Sequence, residues 1–438
     1  MSGRNWQGSR VVITGVGVIS PIGNSVSDFW TSLTEGRSGV VAADAELPVP
    51  FAGLATFRGH IDEFAISDPQ LRKAVRKSLK LMNRETQMGL AAAQQALAAS
   101  GLTECVPDPE RIGVCFGAGN VAMMPHDLEH AVHACCDADG FQSSLWGTQG
   151  LAQIEPLWLL KCLPNMPACH AAIVNDLRGP NNTLTHAEAA FHLAMGEAVQ
   201  HIQEGTADLM LVGGTGTTLH PVNLRHFTLD AEPANASFPP DHACRPFDRD
   251  RTGAVPAEGA AAFVIESLES AVSRGAATLG EVHGTASSCV ISPTLVPDAR
   301  RAVKNVIGSV LKRSGFTVEN VGYVHAHGLG TVRSDAAESA GIHDALATGR
   351  EQPAVLAMKG YTGNAGAGSG ALELAGSVLS LQHRCTFPAL NFRTPDDACP
   401  VRPERGQSDL SQPVILNLSL TAQGLAGCTL ISAFADAA

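Results

Sequence analysis

Short, nearly continuous apolar runs alternate along the chain with segments whose apolar residues recur every three or four positions. The apolar runs predict buried strands near residues 10–14, 111–116, 208–212, 321–326, 353–358, 413–418 and 427–433. The periodic segments predict helices near residues 26–35, 82–100, 186–204, 334–347 and 369–382. Strands that are apolar on both faces and alternate with helices are typical of parallel sheets covered by helices on both sides.

Glycine pairs follow several of the predicted strands. Gly15 and Gly17 come after the first strand, and Gly213 and Gly214 come after a later one. Glycine is common where a strand ends in a turn. The sequence therefore predicts that each of these strands ends at its glycines.

The composition is that of a large globular protein with an acidic surface. Of the 438 residues, 45% are hydrophobic and only 16% are charged, which excludes a disordered chain. There are 42 acidic and 30 basic side chains, for a net charge of −12. Nucleic acids and anionic membranes are bound by clustered Lys and Arg, so neither is expected as a partner.

The cysteines and the apolar runs indicate where the protein resides. The cysteines number eleven, an odd count, and they form no Cys-x-x-Cys pair. The first ten residues lack the apolar core of a signal peptide, and no apolar run is long enough to span a membrane. We therefore expect a cytoplasmic protein with reduced thiols.

Motifs in a fixed order carry a resemblance to a known family. The most specific is Arg245-Pro246-Phe247-Asp248 followed by Glu258-Gly259, and the others lie in residues 10–24, 29–40, 163–173, 179–182, 204–215, 324–331 and 334–339. With these motifs the chain resembles the elongating β-ketoacyl-ACP synthases, the thiolase-fold condensing enzymes of fatty acid and polyketide synthesis, over about residues 10–434.

The resemblance implies a fold and a set of catalytic groups. The expected fold is α/β, a thiolase-like five-layered αβαβα arrangement built from two related halves, here residues 1–260 and 261–438. The resemblance also implies a dimer, an acyl carrier protein (ACP) as partner, and a Cys nucleophile supported by two His and a Lys. No cofactor is expected.

The nucleophile of the family is replaced in this chain. After Gly179-Pro180 the spacing places Glu188 where the family has its Cys. A carboxylate could accept an acyl group only by forming a reactive mixed anhydride, so we expect no transacylation here. A structural role is the alternative, because Thr185 and Glu188 have the spacing of a helix capping box.

The other catalytic positions are partly kept. His327 matches the first catalytic His and Lys359 matches the Lys, whereas Asn364 replaces the second His. An Asn can donate a hydrogen bond but cannot shuttle a proton near neutral pH. His327 is either catalytic or a hydrogen-bonded relic. The family's closing Gly-Phe-Gly-Gly loop is also gone from residues 417–427.

Two further segments take their expected roles from the resemblance. Asn120, Val121, Met123 and Met124 lie where the family has its acyl pocket and subunit interface, and Asn120 is polar at a usually apolar position, which predicts an altered or closed pocket. A basic helix face could bind an acidic ACP or be an ordinary solvated surface; its residues are Arg72, Lys73, Arg76, Lys77 and Lys80.

One histidine cluster raises the question of a metal. His126, His130 and His133 have helical spacing and could bind a metal on one helix face, but an exposed or interface helix is the favoured interpretation. No metal site is therefore predicted.

These residues support one leading function and two alternatives. The leading hypothesis is a non-condensing subunit, similar to the chain-length factors, that pairs with an active, homologous ketosynthase; a homodimer is the other possible assembly. The first alternative is a malonyl-ACP decarboxylase, which would need a protonated Glu188 because a carboxylate would repel malonate. The second is hydrolysis or cyclisation of a thioester with Glu188 as general base beside His327.

Overall fold

The strands and helices of this computed structural model lie in residues 9–102, 108–347, 352–410 and 412–434, the part of the chain that the structure describes. The strands are β1 Val11–Ile19, β2 Val40–Ala42, β3 Phe51–Gly53, β4 Ile112–Ala118, β5 Cys136–Asp137, β6 Gly140–Phe141, β7 Asn181–Leu184, β8 Leu209–Thr217, β9 Glu258–Ser267, β10 Gly280–Cys289, β11 Tyr323–Ala326, β12 Ala354–Ala357, β13 Arg402–Pro403, β14 Val414–Leu420 and β15 Leu425–Ser432. The α-helices are α1 Val26–Glu35, α2 Pro69–Ser78, α3 Arg84–Ala99, α4 Pro125–Ala134, α5 Met166–Asn175, α6 Ala190–Gln203, α7 Pro221–Asp230, α8 Leu268–Ser273, α9 Ala299–Ser314, α10 Val332–Leu346, α11 Lys359–Thr362 and α12 Ser369–His383.

Two sheets with the same internal order form the frame of the molecule. The first has the order β7-β4-β8-β9-β1 and the second β12-β11-β14-β15-β10, with the short β13 at its edge. In each sheet the first three strands are parallel and the last two pairings are antiparallel. The sheets join where β1 pairs with β10. This repeated topology confirms that the fold is built from two related halves.

Helices cover both sheets and also separate them. α6 contacts β4 and β8 of the first sheet and β10 and β15 of the second, and α12 contacts β8, β9 and β14. α3 and α5 pack on the outside of the first sheet, and α9 and α10 on the outside of the second. The predicted αβαβα layering is therefore correct. The middle layer is shielded from solvent along α12, since every residue from Ser369 to Leu381 is buried.

The expectation of parallel sheets was wrong for part of each sheet. β9 and β15 each run antiparallel to both neighbours. Their sequences are still continuous apolar runs, because helices cover both of their faces, as in a parallel sheet.

The glycines do not end the strands. β1 continues through Gly15 and Gly17 to Ile19, and β8 continues through Gly213 and Gly214. A Cβ atom at Gly17 would lie 2.0 Å from the carbonyl oxygen of Ala92 on α3. The glycines therefore allow helices to approach the sheet closely, which a local reading of turn residues could not show.

The proposed division between the halves can be placed more closely. β9 spans residues 260 and 261 and pairs on both sides with strands of the first sheet. We propose that the first half extends through Ser267 and that the second begins near Gly280.

Two expectations concern membranes. Within the described residues no helix combines the length and the apolar character needed to cross a bilayer. Residues 1–8, on which the absence of a signal peptide largely depends, lie outside the described residues.

The close approach of α3 to β1 gives a test of the packing. Gly17→Ala should lower the free energy of unfolding by about 3 kcal/mol, because the new methyl group meets backbone atoms that cannot move independently. The control is Gly308→Ala on the exposed face of α9, where a Cβ has open space and should stabilise the helix by up to about 1 kcal/mol. Urea unfolding measures both. Equal effects of the two substitutions would contradict this packing.

Candidate functional site

A cavity of about 1330 Å³ brings together most of the predicted site residues. Glu188, His327, Asn364 and Asn120 all line it. Lys359 lies behind His327 and is only 1% exposed. Glu188 and Asn364, which are 176 positions apart in the sequence, thus meet at one place, since α6 and α12 are neighbours in the middle layer.

Glu188 lies in a single turn of 3₁₀ helix, Ala187–Ala189, directly before α6. Its Oε1 accepts a hydrogen bond of 3.0 Å from Nδ2 of Asn364. The predicted capping box is wrong: α6 begins at Ala190, and no side chain caps either the turn or the helix. Ala187 has φ of 45°, an uncommon conformation for a residue with a side chain, which indicates that the surrounding structure holds this turn in place.

Asn364 is fixed by its own hydrogen bonds. Its Oδ1 accepts from Oγ of Ser369 at 2.9 Å and from the backbone amide of Gly366 at 3.2 Å. The carbonyl end of the side chain is therefore occupied, and the NH₂ end points to Glu188. The two positions where the resemblance predicts the missing Cys and the missing second His are thus bonded to each other.

His327 and Lys359 form a buried pair. Nζ of Lys359 lies 3.0 Å from Nδ1 of His327 and donates to the His327 carbonyl at 2.6 Å. An ammonium only donates, so Nδ1 accepts and the proton of the neutral ring is placed on Nε2. Burial, and then the charge of Lys359, lower the pKa of His327 well below its ordinary value. His327 is therefore a neutral hydrogen-bond donor.

Glu373 completes this group and was not predicted from the sequence. It lies on α12, is 2% exposed, and accepts a hydrogen bond from Nζ of Lys359. Burial raises the pKa of Glu373 to about 7, while the charge of Lys359 acts in the opposite direction. A single acidic residue within the otherwise apolar and small residues 369–381 was the available signal, because an unpaired buried carboxylate is very costly.

The loop that carries His327 is held by two buried carboxyls of α10. Glu338 accepts from the backbone amides of His327 and Gly328 at 2.7 and 2.9 Å. Asp335 accepts from the amides of Gly330 and Phe247 at 3.0 and 2.8 Å. The Phe247 contact ties the motif at residues 245–248 to the site, so these motifs are structural supports for His327.

The segment that replaces the glycine-rich closing loop is a tight turn. β14 and β15 are joined by Thr421–Gly424, closed by hydrogen bonds from the Thr421 amide to the Leu425 carbonyl and from the Gly424 amide to the Thr421 carbonyl. Thr421 lines the cavity. Ala422 and Gln423 of the same turn also line the cavity, together with Glu188.

The predicted acyl-pocket residues are only partly at the cavity. Asn120 lines it, whereas Val121, Met123 and Met124 are outside its lining and lead into α4. Met124 is 37% exposed, so an interface position suits it better than a pocket position.

The surface residues singled out earlier are also located. Lys73, Arg76, Lys77 and Lys80 are exposed on or just after α2, and Arg72 is paired with Asp62. The three histidines lie on α4, and no group of three or more metal-binding side chains occurs in the ranges the structure describes.

Glu85, which lines the cavity, is a second residue of the site that the sequence did not single out. It lies in the first turn of α3, is 3% exposed, and accepts from the backbone amide of Thr217 at 3.3 Å. Burial raises its pKa to about 8. No signal in the sequence marked it, because an acidic residue in the first turn of a helix is common.

Comparisons with known proteins agree on one family. The model of the beta-ketoacyl synthase N-terminal domain matches residues 8–271, and that of the C-terminal domain matches residues 279–393. The chain is 33% identical to 3-oxoacyl-[acyl-carrier-protein] synthase 2 of Synechocystis sp., over 92% of this chain and 93% of that protein. It is 32% identical to the actinorhodin polyketide putative beta-ketoacyl synthase 1 of Streptomyces coelicolor, over 89% and 81%.

A solved structure of similar shape is the ishigamide ketosynthase/chain length factor. The match has a TM-score of 0.81 and 26% sequence identity, and it covers 98% of this chain and 100% of that one.

The buried carboxyl of Glu85 predicts a pH dependence of stability. Its pKa is about 8 in the folded chain against an ordinary value of 4.5, so the folded state holds a proton that the unfolded state releases. This stabilisation is complete below pH 4.5 and is lost as the pH rises through 8. Glu85→Gln removes the titration, so its melting temperature relative to wild type should be higher at pH 8 than at pH 5. A difference that does not change with pH would contradict the assignment.

Proposed function

This chain belongs to the beta-ketoacyl synthase family, and on that premise we propose that it is a non-condensing, chain-length-factor-like subunit that pairs with an active ketosynthase in fatty acid or polyketide synthesis. The observation that carries the proposal is the Glu188–Asn364 hydrogen bond. Condensation needs a nucleophile and a proton-transferring His at these two positions, and here they are a carboxyl and an amide bonded to each other.

The cysteines near the site do not supply a substitute nucleophile. Cys289 is the only cysteine among the described lining residues, and it is an exposed residue at the end of β10 rather than at the start of α6. Cys244 is buried near the Leu329 carbonyl, and burial raises its pKa to about 12, which leaves it a thiol at neutral pH. Acyl transfer to this subunit is therefore not expected.

Subunit pairing is supported by the open edge of the first sheet. β7 is the last strand of that sheet, and β4 is its only partner in the described chain. The outward amide of Thr183 is bonded to Oδ1 of Asn182, its own neighbour. At the opposite edge, β13 contains Pro403, which cannot extend a sheet. β7 contains no Pro, so of the two edges it is the one to which a partner strand can pair.

Apolar surface in the segment between α4 and α5 also suits an interface. Phe141, Leu151, Leu157 and Leu159 are each between 47% and 50% exposed. Several large apolar side chains exposed within twenty residues are unusual for a monomer and typical of a surface that a partner covers. We propose a homologous ketosynthase as that partner, because a related chain presents a matching sheet edge.

An acidic ACP is the proposed second partner, bound at the exposed basic residues of α2. Lys73, Arg76 and Lys77 are not ion-paired within the described chain, so their charges are available. A cluster of free cations attracts an acidic protein and speeds its association.

The second candidate is an enzyme acting on acyl- or malonyl-ACP thioesters without a Cys nucleophile. The observation in its favour is that His327, with its supporting Lys359 and Glu373, lines the cavity together with Glu188. Decarboxylation would use His327 as a hydrogen-bond donor, and hydrolysis or cyclisation would use Glu188 as a base. It ranks second because the amide of Asn364, which could bind a thioester carbonyl, is directed to Glu188 instead.

The open sheet edge predicts how to separate the subunits. Thr183→Pro removes the outward amide of β7 without removing its pairing to β4, so the complex should dissociate into folded single chains. Thr183→Val is the matched control, because it keeps the amide and should keep the complex. Analytical ultracentrifugation measures the mass of each. A Thr183→Pro protein that remains a dimer would contradict pairing through β7.

The proposal predicts that restoring the Cys restores acylation, and that restoring the second His as well restores condensation. Wild type should form no acyl-enzyme with acyl-ACP by intact mass and release no CO₂ from malonyl-ACP. Glu188→Cys should accept an acyl group but condense at least about 100-fold more slowly than Glu188→Cys with Asn364→His, because only the double variant has a second His.

Each outcome separates the two candidate functions. CO₂ release by wild type that Glu188→Ala or His327→Ala abolishes would favour the decarboxylase over the non-condensing subunit. Hydrolysis of an acyl-ACP with the same dependence would favour the thioester hydrolase.

A further inference from the structure

Glu85 lines the cavity and has one carboxyl oxygen without a hydrogen-bond partner among the described residues. Its Oε1 accepts from the Thr217 amide at 3.3 Å, but its Oε2 is buried and has no hydrogen-bond partner among the described residues. The residue is 3% exposed and lines the same cavity as Glu188. Buried polar atoms are nearly always paired, so an unpaired one in a residue of the cavity wall suggests that a ligand atom pairs with it.

The wall around Glu85 is polar and firmly built. Nδ2 of Asn223 donates to the carbonyls of Asn120 and Thr217, both at 3.0 Å. These groups meet where β4 and β8 end, beside the first turn of α3. Gly119 adds open space, because a Cβ there would have no atom within 4 Å. This branch of the cavity therefore has room and several hydrogen-bonding groups.

The carboxyl can act as a donor at neutral pH. Burial raises the pKa of Glu85 to about 8, and the Thr217 amide only partly opposes the rise. A protonated carboxyl has one O–H to donate, and the oxygen bonded to Thr217 is not the one that carries it. The free oxygen is thus suited to a carbonyl or hydroxyl oxygen, and poorly suited to a methylene group.

We propose that Glu85 is a specificity-determining residue, and that its free carboxyl oxygen binds an oxygen atom of the acyl chain that enters the cavity. The ligand class is an acyl thioester whose chain carries a keto or hydroxyl group, in preference to a saturated chain of equal length. The inference rests on the proposed function only in that an acyl chain enters this cavity.

The selectivity follows from what each ligand does to Glu85. A saturated chain displaces water and leaves the buried O–H unpaired, whereas an oxygenated chain restores its hydrogen bond. Sites built to pair with a polar group reject analogues that lack it far more strongly than apolar pockets reject a small change in size. Asn120, at a position usually apolar in the family, extends the polar surface in the same direction.

The test is calorimetric titration of the purified full-length chain with octanoyl-pantetheine and with its 3-oxo, 5-oxo and 7-oxo analogues. The keto position that binds most tightly shows which carbon of the acyl chain lies next to Glu85. At least one keto analogue should bind wild type about tenfold more tightly than octanoyl-pantetheine, as expected for one hydrogen bond in a buried site.

Two variants assign the preference to Glu85. Glu85→Met has similar volume but no polar group, and it should bind octanoyl-pantetheine and the keto analogues equally. Glu85→Gln keeps a donor and should retain most of the preference. Thermal unfolding of each variant shows that it is folded before titration.

Failure of this inference is distinguishable from failure of the proposed function. Equal binding of all four probes to wild type, no binding of any probe, or a preference that survives in Glu85→Met would overturn it. A Glu85-dependent preference in a chain that pairs with no ketosynthase would instead overturn the proposed function and leave this inference standing. A chain that pairs with a ketosynthase but binds all four probes equally would overturn this inference and leave the proposed function standing.

Discussion

The buried ion pair between Lys359 and Glu373 is the interaction on which the site depends. Both side chains are almost fully buried in the middle layer, and Lys359 also holds the ring and the carbonyl of His327. Removing one partner would leave an uncompensated buried charge, which typically costs about 3–5 kcal/mol. Gly370 on α12 allows this helix to lie close to the start of α6, because a Cβ there would lie 3.4 Å from both the Glu188 carbonyl oxygen and Nε2 of His192. The same approach brings Glu188 to Asn364.

Under the proposed function, the site has the electrostatic groups of a condensing enzyme without its nucleophile. His327, Lys359, Glu373 and Glu338 form a hydrogen-bonded support, although no thiol stands at the start of α6. This combination is understandable if the support is needed for folding as well as for chemistry. A subunit that does not condense would keep the buried network, since losing any member destabilises the middle layer.

The sequence predicted correctly those features that the order of the family motifs along the chain determines. The layering, most helix positions and the meeting of Glu188, His327 and Asn364 followed from motif order, because a family's spacing carries its three-dimensional arrangement. Long-range packing was not accessible in the same way. Gly15 and Gly17 looked like a turn but lie inside β1, since their reason for being glycine is the approach of α3. Thr185 and Glu188 looked like a capping box, yet the partner of Glu188 is 176 residues away. Glu85 and Glu373 were missed, because a single acidic residue acquires its meaning only from what surrounds it after folding.

The central claim is that this chain works as a partner of a catalytic subunit. It is tested most directly by affinity purification of the tagged chain from its native cells, followed by native mass spectrometry of the intact complex. The account predicts a one-to-one complex with a homologous ketosynthase that has a Cys at the start of the helix equivalent to α6 and both catalytic His residues. Recovery of the chain only as a homodimer would contradict it.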